Sequence, residues 1–444
     1  MEDHQEIIYE FKKKEKEVKV FLPRFEIDMG TMKQIKHIAQ HTVLEKLRFM
    51  PDCHKGVGCC VGLTAKIENK LVPRYVGVDI GCGISMHPLE VKMKRKKIPK
   101  VEKMIRYCIP MNYNGRGGNH TQSQLRQEDW EWLMKTSQEE VDKLKEKKQE
   151  EYPDYNFPEI NKDWFNKMII KVKGNIKNVL SSIGTLGGGN HYVEVNQDEN
   201  EKNYLTVHSG SRNIGLKVCV YHQKKIDDYC KFNYLEFRRR MKEIKRHIKV
   251  SEELEKAEKN LNEVMRNKLH PKYLEGEEMM DYLVDMIVCQ NIATLNRMMM
   301  LRSVIINLGC DWDPTKIIET RHNYIDFDRF ILRKGSISAE EGELCIVSLN
   351  MRDGILLCRG KGNPEWNYSS AHGCGRLLNR EKAGRLSLKE FIKEMEDVYS
   401  TSVRKETLDE SPMAYRDVEL VKQCLQDSVE IIQQLKPIIN CKGW

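Results

Sequence analysis

From Met29 to Phe49 apolar residues recur at helical spacing, with Ile35, Ile38, Val43 and Leu47 on one face, and the spacing predicts a helix. The run Leu71 to Val78 reads differently. Val72, Tyr75, Val76 and Val78 predict a buried strand that turns away through Gly77, Gly81 and Gly83, and a shorter glycine-rich strand segment is predicted from Gly56 to Gly62. Residues 121–152 are polar with a helical pattern and a packing face at Trp130, Trp132 and Leu133, and Trp164 to Leu180 predicts another helix. Gly184 to Val195 and Tyr204 to Gly215 predict strand-and-turn units built around glycine. Glu277 to Ile306 predicts a long, Met-rich core helix, and residues 323–360 return to short strands. Val418, Val421, Leu425, Ile432 and Leu435 predict a last helix, stopped by Pro437.

The chain has 444 residues, enough for one large domain or two ordinary ones. It shows no internal repeat, no low-complexity linker and no clear boundary, so a single domain over 1–444 is expected. Charge is densest over 222–268, which includes FRRRMKEIKRHIKVSEELEKAEKNLNE. That stretch predicts a charged helical hairpin inserted into the domain; a solvated surface explains its charge more simply than RNA contact. Charged residues make up 32% of the chain, no apolar run reaches membrane-span length, and the start MEDHQEIIYEFKKKEKEVKV lacks a signal-peptide core. The expectation is a soluble, cytoplasmic protein with no membrane association. Fourteen cysteines without a CxxC pair argue for reduced thiols rather than a disulfide scaffold or zinc ribbon. A net charge of +8 fits a nucleic-acid partner without demanding one.

Candidate chemistry starts at GVDIGCG, where Asp79 and Cys82 stand three apart among glycines. Alone they fit either a metal pair or a solvated turn Asp beside an ordinary buried Cys. Four more glycine-flanked or polar clusters each carry a histidine: GTLGGGNHYVEV (Asn190, His191), TVHSGSRNIG (His208, Arg212), ETRHNY (His322) and SSAHGCGR (His372, Arg376). With Asp79 and Cys82 they supply the mixed O, S and N donors of a transition-metal site. A thiolate can bridge two cations, and two metals can clamp the oxygens of phosphoryl transfer. Turns such as GGGN and GSRNIG expose N–H groups suited to phosphate. Arg212, Arg376 and Arg380 suit bidentate phosphate contacts or surface salt bridges.

The order MPDCHKGVG, GVDIGCG, GTLGGGNHYVEV, VHSGSRNIG, RHNY, RKGSISA, GKGN, AHGCGR, PMAYRDVE and CKG resembles the RtcB family of RNA ligases, unbroken from about residue 50 onward. The resemblance implies a mixed α/β (α+β) fold with stacked β-sheets around a metal cleft and peripheral helices. It implies an enzyme joining RNA 3′-phosphate or 2′,3′-cyclic phosphate ends to 5′-hydroxyl ends, with GTP and two Mn²⁺, in tRNA splicing or RNA repair. Asp79, Cys82, His191, His208 and His322 match the family's metal ligands, with Cys82 bridging. His372 matches the histidine that becomes guanylylated, and Asp52 a carboxylate that orients it. Asn190 matches a residue near the GMP phosphate, Glu194 and Lys442 match guanine-side contacts, and Gly373, Cys374 and Gly375 lie in the nucleotide-binding motif. Arg212, Arg376 and Arg380 match RNA or phosphate contacts. A monomer is expected, with an archease-type activator as a candidate partner.

The chain departs from the family pattern at Cys374, where alanine is usual, at Asn379 before Arg380, and over Ile346–Met351 beside the nucleotide pocket. Cys53, where valine is common, adds a thiol open to oxidation near the site. Two other functions share parts of the pattern: a two-metal phosphoesterase, which would not need His372, and a non-catalytic RNA-binding subunit, which would not need the ligand set.

Overall fold

The computed structural model describes residues 9–13, 16–41, 43–111, 125–248, 250–266 and 273–443. The chain mixes helix and sheet, as the sequence implies. One six-stranded sheet has the order β1-β2-β3-β4-β10-β9, from β1 (Tyr9–Lys13), β2 (Lys16–Val20), β3 (Glu45–His54), β4 (Val61–Lys66), β9 (Asn323–Asp326) and β10 (Ile331–Lys334). A seven-stranded sheet has the order β12-β13-β15-β6-β7-β5-β8. Its strands are β5 (Gly83–Leu89), β6 (Tyr192–Gln197), β7 (Asn203–Ser209), β8 (Ile318–Arg321), β12 (Leu344–Ser348), β13 (Ile355–Gly360) and β15 (Val429–Lys442). A short pair, β11 (Ser336–Ser338) with β14 (Ser369–Ala371), lies between them.

The seven-stranded sheet curls until its edges meet. Ile346 N on β12 donates to Thr320 Oγ1 on β8 at 3.0 Å. Ile84, Met86, Ile346, Ile355, Leu357 and Leu435, drawn from four strands of this sheet, fill one shared core. A second core joins Phe21 and Met50 to Ile337, Ala371, Val347 and Leu356, so the two large sheets stack through the short pair.

The helices are α1 (Met29–His41), α2 (Pro73–Val76), α3 (Ile98–Cys108), α4 (Gln127–Lys148), α5 (Lys162–Lys171), α6 (Ile176–Ser182), α7 (Arg212–His247), α8 (Ser251–Arg266), α9 (Gly276–Asn307), α10 (Arg380–Ala383), α11 (Leu388–Glu394) and α12 (Val418–Leu425). The Met-rich helix expected from Glu277 is α9, and it is buried on nearly every side from Met279 to Arg297. Each buried Leu, Ile or Met contributes about 1.5–3 kcal/mol, so α9 is a stiff spine for whatever rests on it. Among the described residues no helix is long and apolar enough to cross a membrane.

Several elements differ from expectation, each for a local reason. The first helix stops at His41, and Leu47 and Phe49 belong to β3. A spacing of four satisfies strand alternation as well as helical period, so Val43 and Leu47 were ambiguous. Leu71 to Val78 is not a strand. Pro73 opens the short helix α2, and Val78 is exposed. Gly56–Gly62 is mostly the loop between β3 and β4. Trp164 to Leu180 breaks into α5 and α6 at Lys173 and Gly174, Lys173 taking φ +58°. The last helix ends at Leu425, and Ile432, Leu435 and Pro437 lie in β15. Pro437 is tolerated mid-strand because the register to β6 shifts there.

The expected hairpin is α7 and α8, but α7 begins at Arg212, inside the body, where Ile214, Val218, His222 and Ile226 are buried. Residues 267–268 of that hairpin, and 121–124 of the helical stretch that became α4, lie outside the described residues.

Candidate metal and nucleotide site

The turn before β5 explains why so few side chains surround Asp79 and Cys82. Gly81 has φ +69°, and a Cβ there would lie 2.4 Å from Gln290 Cα on α9. A Cβ on Gly210, facing the turn, would lie 2.2 Å from both Asp79 carboxylate oxygens. Bare backbone lets the turn press against α9 on one side and against the end of β7 on the other.

Five donor side chains converge there. Cys82 Sγ lies 3.5 Å from His191 Nε2 and 3.4 Å from His208 Nε2. His191 Nε2 lies 3.1 Å from Asp79 Oδ2, and His208 Nε2 lies 3.4 Å from His322 Nε2. The donors fall into two groups, Asp79–Cys82–His191 and Cys82–His208–His322, each with ligand atoms within 4.8 Å of one another. Cys82 belongs to both, which is the arrangement of a thiolate shared by two cations. His191 Nδ1 rests 3.0 Å from the Leu186 carbonyl, which turns Nε2 toward the cluster.

Burial, then neighbouring histidines, hold His208 and His322 well below the usual imidazole range. Burial, then Asp79, pushes the Cys82 thiol well up. Burial also pushes Asp79 up, but the hydrogen bond and charge of His191, with Cys82 and Arg212, outweigh it and leave the carboxyl lowered. Neutral imidazoles with free Nε2 lone pairs are ready ligands. A bound dication would reverse the shift on Cys82, because a coordinating thiol is deprotonated outright. The donor set therefore fits a pair of metal ions.

Strand register extends the site. Lys442, Tyr192 and His208 are cross-strand neighbours on β15, β6 and β7, and so share one face. The next rank on that face is Asn440, Glu194 and Thr206. A cleft of about 620 Å³ opens beside these ranks, lined by Asn190, Tyr192, Glu194, His208, Asn440 and Lys442 and by the loop His372–Arg380. That is the size of a nucleotide-scale ligand pocket. Glu194 is buried, and burial raises its carboxyl to about 7 against the opposing effects of Asn196, Asn440 and Lys442.

His372 stands at the junction of cleft and metal cluster. Its ring centroid lies 4.7 Å from that of His322. Asp52 Oδ2 accepts from the backbone N–H groups of His372 and Gly373, both at 3.1 Å, and lies 2.5 Å from His372 Nδ1, off the line of a straight hydrogen bond. Gly375 (φ +73°) lets the loop close on β3, since a Cβ there would lie 2.8 Å from Asp52 Cα. The Cys374 thiol donates to the Arg416 carbonyl at 3.4 Å, and burial pushes it to about 12. Asn379 caps α10 by accepting from Lys382 N. Within Ile346–Met351, Ser348 bonds the Tyr192 hydroxyl at 2.8 Å and the backbone of the His372 loop. Cys53 is fully buried with its thiol pushed to about 12, so the expected oxidation-prone thiol is instead an inert core group.

The three arginines are placed unequally. Arg376 and Arg380 line the cleft, but both are paired with the buried Glu410, at 2.9 Å and 2.8 Å, and Asp409 takes a further contact from each. Lys442 Nζ joins the same carboxylate at 3.1 Å and the Asn190 carbonyl at 3.3 Å. Arg212 does not line that cleft. It starts α7 at φ +60°, lies over Gly187 and donates to Thr185 Oγ1 at 3.2 Å.

Sequence reading missed the supports. Arg297, fully buried on α9, donates to the carbonyls of Gly81 at 3.0 Å and Ser209 at 2.7 Å and pairs with Glu319. It ties the Cys82 turn to the His208 strand. Asn296 Oδ1 accepts from the N–H groups of Gly184 and Thr185, while its amide donates to Ser209 Oγ and the Gly210 carbonyl. The available signal was an adjacent Asn-Arg pair inside a Met-rich helix that the pattern places in the core. Glu410 and Asn440 carried no comparable signal.

A family model described as tRNA-splicing ligase RtcB matches residues 34–443. The chain belongs to the RtcB family. It is 26% identical to the RNA-splicing ligase RtcB of Escherichia coli K12, over 96% of this chain and 97% of that protein. It is 23% identical to the tRNA-splicing ligase RtcB of Methanococcus maripaludis, over 92% and 91% of the two chains. The tRNA-splicing ligase RtcB of Nanoarchaeum equitans is also 23% identical, over 94% of this chain and 91% of that protein. As an RtcB-family member it is a ligase with a candidate Asp, Cys and His metal site.

Proposed function

We propose that the protein is a GTP- and Mn²⁺-dependent RNA ligase that joins 3′-phosphate or 2′,3′-cyclic phosphate ends to 5′-hydroxyl ends through a guanylylated His372. The observation that carries this reading is the position of His372, with Nδ1 against Asp52 and its ring beside the metal-group histidine His322.

In this reading Asp79, Cys82, His191, His208 and His322 hold two Mn²⁺ ions. Bound there, the ions neutralise phosphate charge as it develops. Asp52 fixes the imidazole so that Nε2 of His372 faces the cleft with its lone pair free. Nε2 attacks the α-phosphorus of GTP. An N–P bond forms, the bond from α-phosphorus to the β-phosphate oxygen breaks, and pyrophosphate leaves. An oxygen of the RNA 3′-phosphate then attacks the same phosphorus and the N–P bond breaks, which restores His372. The 5′-hydroxyl attacks the activated RNA phosphate, gives up its proton, and GMP leaves as the 3′,5′-phosphodiester forms. A 2′,3′-cyclic end is first opened by water. The whole chain acts as one ligase domain, with α7 and α8 as a peripheral insertion.

The test is incubation with α-labelled GTP and Mn²⁺, followed by a denaturing gel. A covalent labelled species is expected in the wild type and none in His372→Ala. An unlabelled wild type, or a labelled His372→Ala, overturns the reading. Labelling also separates this function from a phosphoesterase or a binding subunit, neither of which forms the adduct.

A further inference from the structure

One side chain clasps the loop between β3 and β4 to α1. Gln34 Nε2 donates to the Gly56 carbonyl at 2.8 Å, and the Gly56 N–H donates back to Gln34 Oε1 at 3.0 Å. Only glycine fits there, because a Cβ on residue 56 would lie 2.2 Å from the Cys59 carbonyl oxygen. Beside the clasp, helix and loop leave an open groove of about 270 Å³. Lys33 and His37, four apart and so on one face of α1, form one wall, and Lys55 from the loop stands on the other. All three side chains are exposed.

The groove continues the cleft. His54, Lys55, Gly56 and Val57 border the cleft, and Lys55 borders both spaces. The same segment carries Asp52, which holds the His372 loop. Charge is disposed differently in the two spaces. In the cleft Arg376, Arg380 and Lys442 converge on Glu410. In the groove neither Lys33 nor Lys55 has a carboxylate partner among the described residues. Asp28, where groove and cleft meet, is already engaged: it accepts from the N–H groups of Gly30 at 2.8 Å and Thr31 at 3.0 Å, and from the Thr31 hydroxyl. The groove offers cations but no Phe, Tyr or Trp, so it suits backbone phosphate and not a stacked base. A cleft of about 620 Å³ holds one nucleotide-scale ligand, and an RNA whose end reacts there must run out over the surface.

We propose that the groove between Lys33 and Lys55 is a track for the RNA strand that leaves the cleft, gripping backbone phosphates beyond the reacting end without regard to base sequence. The proposal rests on the ligase reading above, which puts an RNA end in the cleft. Lys33 stands just ahead of residues 34–443, which the family model matches, so this wall of the track lies outside that match.

The test uses the full chain with Mn²⁺ and no GTP, and a fluorescent single-stranded RNA of about 16 nucleotides with 5′-hydroxyl and 3′-phosphate ends. Anisotropy gives Kd over a series of salt concentrations. Lys33→Gln is expected to raise Kd about threefold and to flatten the plot of log Kd against log salt by about 0.7. Lys33→Gln with Lys55→Gln is expected to raise Kd about tenfold and to flatten the plot by about 1.4, for two phosphate contacts. Arg239→Gln, on the exposed hairpin, removes the same charge elsewhere and should leave both quantities unchanged. Labelling of His372 by GTP in Lys33→Gln should stay within about twofold of the wild type, because Lys33 lies outside the cleft. Unchanged RNA affinity and salt dependence in the double variant, or an equal loss in Arg239→Gln, overturns the track and leaves the ligase reading standing. A labelling defect in Lys33→Gln as large as its loss of RNA affinity also overturns the track, since the substitution would then act through the fold. A wild type that GTP does not label overturns both readings.

Discussion

Asp52 and His372, 320 residues apart in the chain, meet with Oδ2 2.5 Å from Nδ1. The same oxygen accepts two backbone N–H groups of the histidine loop, so the carboxylate holds the loop and lies against the ring. Asp52→Asn keeps the size but removes the charge beside Nδ1. Labelling of His372 by GTP is expected to slow by about 10²- to 10⁴-fold with little change in thermal stability. Single-turnover labelling measures the rate. Labelling at the wild-type rate would mean that Asp52 does not orient the nucleophile.

Cys82 is the one residue common to both donor groups. Cys82→Ala should therefore weaken both metal positions rather than one. Bound Mn²⁺, counted by electron paramagnetic resonance on the gel-filtered protein, is expected to fall from two ions per chain to none, and labelling to vanish. Retention of a full ion at wild-type affinity would contradict a shared thiolate.

Arg297 predicts a stability effect. It is a fully buried cation paired with Glu319, and its removal leaves that carboxylate only Thr294 and the more distant Arg321 and strips the Gly81 and Ser209 carbonyls of their donor. Arg297→Met is expected to cost about 3–5 kcal/mol. Arg297→Lys should rescue little, because an ammonium cannot serve the Gly81 and Ser209 carbonyls, Ser85 and Glu319 together. Urea unfolding monitored by circular dichroism reads both.

Glu194 predicts a pH dependence with a definite sign. Its carboxyl is raised from 4.5 to about 7 in the folded chain, burial being the main cause. The folded state thus binds the proton more tightly than the unfolded one, and the stability due to this group declines as pH rises from about 4.5 to about 7 and is flat beyond. Nucleotide binding has the opposite trend, since the acceptor form dominates only above about 7. The GTP requirement for labelling should climb as pH is lowered through that value, and Glu194→Gln should abolish the titration.

The α7–α8 hairpin predicts an absence of effect. Among the described side chains, Ile226 is its last deeply buried one before the exposed basic run Arg238 to Arg240. Replacing residues 228–262 by a short linker should leave His372 labelling unchanged. Loss of labelling on deletion would make the hairpin part of the site.

The donors were legible because each sits in a glycine-flanked or polar segment rather than in an apolar periodic run. Asp79, Cys82, His191, His208 and His322 do converge, from four separated segments. Arg297 and Asn296 were hidden because helical period reports burial and not what a buried polar group holds. Secondary structure failed where one spacing served two periods, as at Leu47, and where a single proline was read as a terminator. Pro437 sits at a register shift, so the strand passes through it. The resemblance gave Arg376 and Arg380 an RNA or phosphate role, and nothing in the sequence announced that Glu410 pairs with both.

β15 lies between β13 and β6, in the interior of the seven-stranded sheet, and contributes Asn440 and Lys442. Pocket and sheet are thus closed by one and the same strand. A product cut short before residue 429 has neither the floor of the pocket nor the bridge between the two halves of its sheet.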